Sequence, residues 1–237
     1  MTRRQSGGEK FWNKSYAKRK GAEHLKLSSE PSEDLQKFIR YIEREHGRAF
    51  LNPSASVVDL GCGNGRNLVY LAREFGMRGV GYDTSHEAIK QAQELGAGLP
   101  LIFEVRSIAQ PIPLPDASQT IVLDMMTSHF LRENERTVLR AEIVRVLRPD
   151  GWLFFKTFLL EEDAHARRLL KDHPADEEGS YIHPSIGALE HVSSEEEIEQ
   201  TLGEHFTLHK MYASHRHIRR GRAFKRRSIA VYAERKY

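Results

Sequence analysis

One stretch limits this chain more than any other: Val57-Val58-Asp59-Leu60-Gly61-Cys62-Gly63-Asn64-Gly65. A short apolar β run ends in a glycine-rich turn, and Leu68, Leu71 and Ala72 then share one face of a helix. Glycines permit positive φ and let a ligand lie against bare backbone, while the helix behind offers free N–H groups. A strand feeding a helix through such a turn is an α/β unit.

The rest of the chain extends that unit. Gly79-Val80-Gly81-Tyr82-Asp83, Leu101–Val105, Thr120–Asp124 and Trp152–Phe155 read as four further strands. Helices are expected from Pro31-Ser32-Glu33-Asp34, closed by Asn52-Pro53, around Ala88–Ala92, and over Glu133–Leu147, stopped by Arg148-Pro149-Asp150-Gly151. A proline-studded loop, Gln110 to Asp116, stands where the alternation asks for a helix. Five strands alternating with helices imply a parallel sheet with right-handed crossovers.

Residues 159–193 break the rhythm; acidic, histidine-rich and weakly periodic, they read as a functional cover. Ser194 with Glu197 forms a capping box for a helix to about Leu202. Phe206–Ala213 and Ser228–Ala233 then form a β-hairpin with a long basic connection.

Asp83, at the end of the second strand, sits where doubly wound sheets bind a ribose diol. A dinucleotide fingerprint needs Gly or Ala where this chain has Arg66, and no Lys-Ser/Thr pair follows the turn as a phosphate loop requires.

At these residues the chain resembles the class I S-adenosylmethionine-dependent methyltransferases. Val57–Gly65 is similar to their first motif and Gly79–Ser85 to their second. Pro113-Leu114-Pro115-Asp116-Ala117-Ser118 and Leu147-Arg148-Pro149-Asp150-Gly151 match their later signatures. The resemblance covers about residues 50–160 and, through the terminal hairpin, the strand order to the end. It implies a doubly wound, mostly parallel seven-stranded sheet with an antiparallel last strand. Residues 1–50 become an N-terminal helical lead-in, and 51–237 the methyltransferase domain with insert 159–193 and basic hairpin 206–234.

The implied cofactor is S-adenosylmethionine. Asp59 and the turn (Gly61, Cys62, Gly63, Gly65, with Asn67 behind it) would hold the methionine end, and Asp83 with Thr84 the ribose. Ser107 and Ile108 fall where the family holds the adenine, a position often occupied by Asp. Phe11-Trp12-Asn13-Lys14-Ser15-Tyr16 resembles an aromatic lead-in that folds over the cofactor, Tyr16 foremost; a helix packed on the core fits it equally.

A sulfonium is an activated methyl donor, so the protein must align an acceptor and, where needed, take its proton. Asp124 and His129, after the fourth strand, and Tyr181 and His183 in the insert are the candidates. The run Tyr181-Ile182-His183-Pro184, with Glu190-His191 and a Glu-rich helix, resembles the insert of tellurite-resistance-type small-molecule methyltransferases. The Asn/Asp-Pro-Pro-aromatic motif of exocyclic-amine methyltransferases is absent after the fourth strand.

Charge enters here. The net +3 hides −10 over residues 51–200 and +8 over residues 201–237. His215–Arg227 alone holds seven Lys/Arg, and Arg219, Arg222, Arg226 and Arg227 are expected to meet an anionic acceptor or RNA phosphates. The acceptor is thus a small molecule or RNA, with a non-catalytic cofactor-binding protein as the rival. A lone cysteine, Cys62, excludes a disulfide framework and a cysteine zinc site, and no histidine spacing suggests a metal. No membrane span or secretory signal is legible, so a cytoplasmic protein is expected.

Overall fold

Asp59 and the leading Ser56 apart, Ser56–Leu60 is apolar on both faces, and all but its first residue are buried. Such a strand needs a helical layer on each side. The computed structural model, which describes residues 7–17, 28–215, 218–219, 222–223 and 226–237, supplies both layers. From the N-terminus come α1 (Gly7–Ala17), α2 (Glu33–His46), β1 (Ser56–Leu60), α3 (Arg66–Phe75), β2 (Arg78–Asp83), α4 (His86–Leu95), β3 (Leu101–Val105), β4 (Gln119–Met125), α5 (Glu133–Val146) and β5 (Leu147–Phe158). The insert holds α6 (Ala164–Asp172), β6 (Ser180–Ile182) and β7 (Leu189–His191). Then follow α7 (Glu195–Gly203), β8 (Phe206–Ala213), the two-residue strands β9 (Ile218–Arg219) and β10 (Arg222–Ala223), and β11 (Ser228–Arg235).

Seven strands form one sheet in the order β3-β2-β1-β4-β5-β11-β8. The pairs from β3 to β5 are parallel, and β11 runs antiparallel to both β5 and β8. Strand order reverses between β1 and β4, so the chain opens a crevice at their carboxyl ends. One core layer packs α2 on the sheet: Phe38 stacks on Phe154, centroids 4.9 Å apart, above the fully buried Trp152. The opposite layer seats Leu139, Ile143, Ile198 and Leu202 against Val122 and Val231. Among the described residues, no helix is long and apolar enough to cross a membrane.

Local outcomes differ from the sequence reading in three places. Helix α2 stops at His46 rather than Asn52-Pro53, because Gly47 turns out of the helix with φ 57°. Strand β5 starts at Leu147, before the proline–glycine signal; Leu147 pairs with Gln119, and the turn survives only as an irregularity with Asp150 at φ 60°. The capping box of α7 is half made. Ser194 accepts from the Glu197 N–H, but the Glu197 carboxylate goes to His191 Nε2 at 2.8 Å. No helix forms between β3 and β4, as the prolines indicate, and Ile102 is left 57% exposed on the sheet.

Candidate active site

The glycine turn is shaped by what presses on it. Gly61, Gly63 and Gly65 all have positive φ, 81°, 54° and 75°. A Cβ at Gly61 would lie 2.2 Å from Thr127 Cγ2, and one at Gly63 2.4 Å from the Tyr16 hydroxyl. At Gly65 it would meet Phe103 and Ala92 within 3 Å, which seats α3 closely on the sheet. Side chains are therefore excluded both by conformation and by space. Gly61 and Cys62 donate to the Tyr82 carbonyl at 2.8 and 2.9 Å, locking the turn to β2.

Around this turn lies a cavity of about 620 Å³, within the range of small-molecule sites. Asp59, Gly61, Cys62, Gly63, Asn67, Asp83, Thr84, Ser107, Ile108 and Tyr16 line it. Gly65 does not; it sits behind, under Phe103. Asp83 accepts from the Gly63 N–H at 3.0 Å and the Ser85 N–H at 2.8 Å, yet each carboxylate oxygen keeps a free lone-pair site. Helix α1 closes over the turn: Ser85 Oγ donates to Asn13 Oδ1 at 2.9 Å, and Gln91 Nε2 to the Tyr16 carbonyl at 2.8 Å. The aromatic lead-in thus both packs on the fold and lines the cavity.

Two opposite charges at the turn are left without partners. Asp59 is buried with Oδ2 unbonded, and burial, reinforced by Asp83 and Asp124, pushes its carboxyl up to about 7. Arg66 lines the cavity and makes no side-chain hydrogen bond or ion pair among the described residues. Its charge is near enough to offset part of the Asp59 shift. An orphaned buried carboxylate and an uncommitted guanidinium on one wall fit a zwitterion, as in an α-amino acid. The residues present therefore suit the methionine end of S-adenosylmethionine.

Comparisons agree with this geometry. Residues 58–155 match the family described as a methyltransferase domain. The phthiotriol/phenolphthiotriol dimycocerosates methyltransferase 1 of Mycobacterium ulcerans is 33% identical over 132 residues, 55% of this chain and 46% of that protein. A structure of an S-adenosylmethionine-dependent methyltransferase from Methanosarcina mazei aligns with a TM-score of 0.65 at 24% identity, covering 79% of this chain and 95% of that one. Residues 58–155 thus match a methyltransferase domain, and the chain has the class I methyltransferase fold. The geranyl diphosphate C-methyltransferase of Streptomyces coelicolor A3(2), solved with S-adenosyl-L-homocysteine, shares the fold over 98% of this chain and 100% of that one, with a TM-score of 0.64 at 15% identity. The chain spans 26%, 46% and 48% of the length of the first three curated relatives it matches.

The residues expected to do the chemistry of this methyltransferase domain lie elsewhere. Asp124 is buried behind the cavity, where its Oδ1 accepts from the Ser128 N–H at 3.1 Å; burial lifts its carboxyl to about 6. His129 is buried between Phe130 and Phe158, and burial lowers its imidazole to about 3, so it stays neutral. Only the neighbour Phe130 reaches the cavity. Tyr181 is fully buried in the insert, donating to Glu190 and accepting from Arg226. His183 Nδ1 accepts the Ser185 and Ile186 N–H groups and holds a turn. None of the four lines the cavity.

The basic hairpin needs a correction too. Arg226 is an interior strut: its Nε meets Asp163 Oδ2 at 3.0 Å, and its guanidinium lies 4.2 Å from the Phe158 ring centroid. Arg227 Nη1 pairs with Glu162 at 2.8 Å and its Nε donates to the Ser214 carbonyl at 3.1 Å. Neither is offered to a polyanion. The backbone of Arg222 pairs with that of Arg219, and the side chains of both lie outside the described residues.

The other half of the cavity was not read from the sequence. Trp12, Ser28, Ser32, Met125, Met126, Thr127, Phe130, Leu131 and Lys156, with Asn64 and Arg106, line the remainder of the cavity. Lys156 left a trace, as the lone charge ending the apolar run Trp152–Phe155. Asn67 joins the two sides, accepting from the Ser32 N–H at 3.1 Å while its Nδ2 reaches Met125 Sδ at 3.5 Å.

Proposed function

We propose that this protein transfers a methyl group from S-adenosylmethionine to a small-molecule acceptor in the cavity at the carboxyl ends of β1 and β4. The observation that carries the reading is the division of that cavity. One half is a bare-backbone turn with an unpaired Asp59 and Arg66; the other is mainly apolar and aromatic, with Lys156 and the hydroxyls of Ser28, Ser32 and Thr127 among its lining.

The cofactor, when bound, supplies a methyl already activated on a sulfonium. Asp59 would take its ammonium and Arg66 its carboxylate, each satisfying a charge that is otherwise alone. Asp83, pre-oriented by the Gly63 and Ser85 N–H groups, would accept from the ribose hydroxyls. Ser107 and Ile108 would flank the adenine, and Tyr16 on α1 would exclude water over the turn. Trp12, Met125, Phe130 and Leu131 would press the acceptor toward the methyl.

Methyl-labelled cofactor offered with the protein to cell extract, then fractionated, tests the reading. Label is expected in the small-molecule fraction. Label in RNA alone would reassign the acceptor, and no formation of S-adenosylhomocysteine would refute transfer.

A further inference from the structure

Resting on that reading, we propose that the acceptor is an amphipathic organic acid, a carboxylate or an acidic phenol or enol, whose oxyanion is held by Lys156.

Trp152, Phe154 and Lys156 alternate onto one face of β5. The first two are buried beneath α2, and Lys156 carries the stripe to the cavity, its side chain 19% exposed. Its backbone is fixed, because the Met126 N–H donates to the Lys156 carbonyl at 2.8 Å. Met126 itself holds φ 61°, an unfavourable conformation for a side chain of this size, at the end of β4.

An ammonium has three donors. That of Lys156 spends one on Asp34 Oδ2, at 2.5 Å, and makes no other hydrogen bond among the described residues. Asp34 also faces Lys37 at 3.3 Å, so this cluster of two cations and one anion keeps a positive charge. Burial pushes the Asp34 carboxyl up, but Lys156 and Lys37 together hold the group below its ordinary value. Ser32, the residue before α2, caps no N–H of that helix with its hydroxyl, and it too lines the cavity. Two ammonium donors and a hydroxyl thus meet the acceptor side with no protein acceptor assigned to them.

The carboxylates lining the cavity are Asp59 and Asp83, both at the glycine turn, and no imidazole lines it among the described residues. A neutral alcohol on the acceptor side would need a base. An ammonium acceptor would be repelled by Lys156, whereas an oxyanion needs neither base nor proton transfer. Its oxygen attacks the methyl carbon; the C–O bond forms as the C–S bond breaks, and the bonding pair goes to sulfur. The anion and the sulfonium neutralise each other, giving a methyl ester or ether and a thioether. Trp12, Met125, Met126, Phe130 and Leu131 would receive the apolar body of such an acid.

The experiment is calorimetric. S-Adenosylhomocysteine is titrated first, because failure to bind would defeat the cofactor reading rather than this one. The loaded protein is then titrated at pH 8 with octanoate against octanamide, and with 4-nitrophenolate against 4-nitroanisole. At least one oxyanion is expected to bind tenfold or more tighter than its neutral counterpart, and which one does so separates carboxylates from phenols. Lys156→Met should erase that gap, Lys156→Arg should keep part of it, and Asp34→Asn, which frees the ammonium, should keep it. Retained S-adenosylhomocysteine affinity shows that Lys156→Met is folded, and Lys156→Gln replaces it otherwise. Equal binding of both members of each pair, no saturable binding of either oxyanion, or a gap that survives in Lys156→Met would overturn the inference.

Discussion

The glycine turn and the insert both bury charge, but they treat it oppositely. At the turn, Asp59 Oδ2 is unbonded and Arg66 has no partner among the described residues. In the insert, Arg226 is paired with Asp163, Arg136 with Glu177 at 3.1 Å, and His191 with Glu197 at 2.8 Å, while Ser180 Oγ meets His191 Nδ1 at 2.9 Å. Buried polar groups are ordinarily satisfied within the fold, so one left alone against a cavity marks where a ligand completes the structure. In and around the insert the exceptions are Arg226 Nη2, His129 Nδ1 and Glu161 Oε2, none of which lines the cavity; the first two belong to groups packed on Phe158, and Glu161 already accepts the Glu195 N–H through Oε1. Polarity alone pointed to Tyr181 and Arg226, whereas pairing tells structural charge from functional charge.

The sharpest way to break this contrast is to unpair the insert. Asp163→Ala removes the nearer of the two carboxylates paired with Arg226, Glu190 at 3.4 Å being the other, and also the group that receives the His165 and Ala166 N–H groups. It should cost about 3–5 kcal/mol of stability, the usual loss when one partner of a buried pair is removed, read by chemical denaturation. A loss below about 1 kcal/mol would mean that the network is not structural. The turn should respond in affinity instead. Asp83→Ala should weaken S-adenosylhomocysteine binding by about 1.5–3 kcal/mol, the range for hydrogen bonds to a charged group.

Smaller effects sharpen the account further. Arg66→Gln should weaken S-adenosylhomocysteine about tenfold while leaving 5′-methylthioadenosine, which lacks the amino acid, unchanged. Equal losses for both ligands would deny Arg66 the carboxylate. Binding should also depend on pH, because the ligand ammonium requires ionised Asp59. With that carboxyl raised to about 7, affinity should rise roughly tenfold from pH 6 to pH 8 and level off above. The same shift has a stability consequence of defined sign. Folded protein holds the Asp59 proton more tightly than unfolded chain, so Asp59 lowers the stability of ligand-free protein as pH climbs from about 4 to 7. His129 acts oppositely: held neutral, it contributes stability above its ordinary value that is lost as pH falls toward 3. Melting curves across pH 4–8 with and without S-adenosylhomocysteine check both signs, the ligand flattening the Asp59 limb.

What was legible in the sequence follows from the range of each signal. The individual strands, the glycine turn, Asp83 and the missing helix after β3 rest on local chemistry, such as glycine conformations, prolines and apolar runs, whereas the sheet order came with the family resemblance. The acceptor half was not legible, because it is assembled from α1, the start of α2 and the ends of β4 and β5. Lys156 and Asp34 meet across 122 residues, and no spacing rule spans that. His129 and Tyr181 were read as functional because a sequence does not show burial. Phe158 and Glu190 take them into the interior, where one is held neutral and the other is bonded on both sides.

The central claim is that the unpaired charges at the glycine turn are completed by S-adenosylmethionine. Calorimetric titration of the protein with S-adenosylhomocysteine at pH 8 tests it most directly. One ligand should bind per chain, and Asp83→Ala should weaken it by at least tenfold. No saturable binding, or an affinity that the substitution leaves unchanged, would contradict the account.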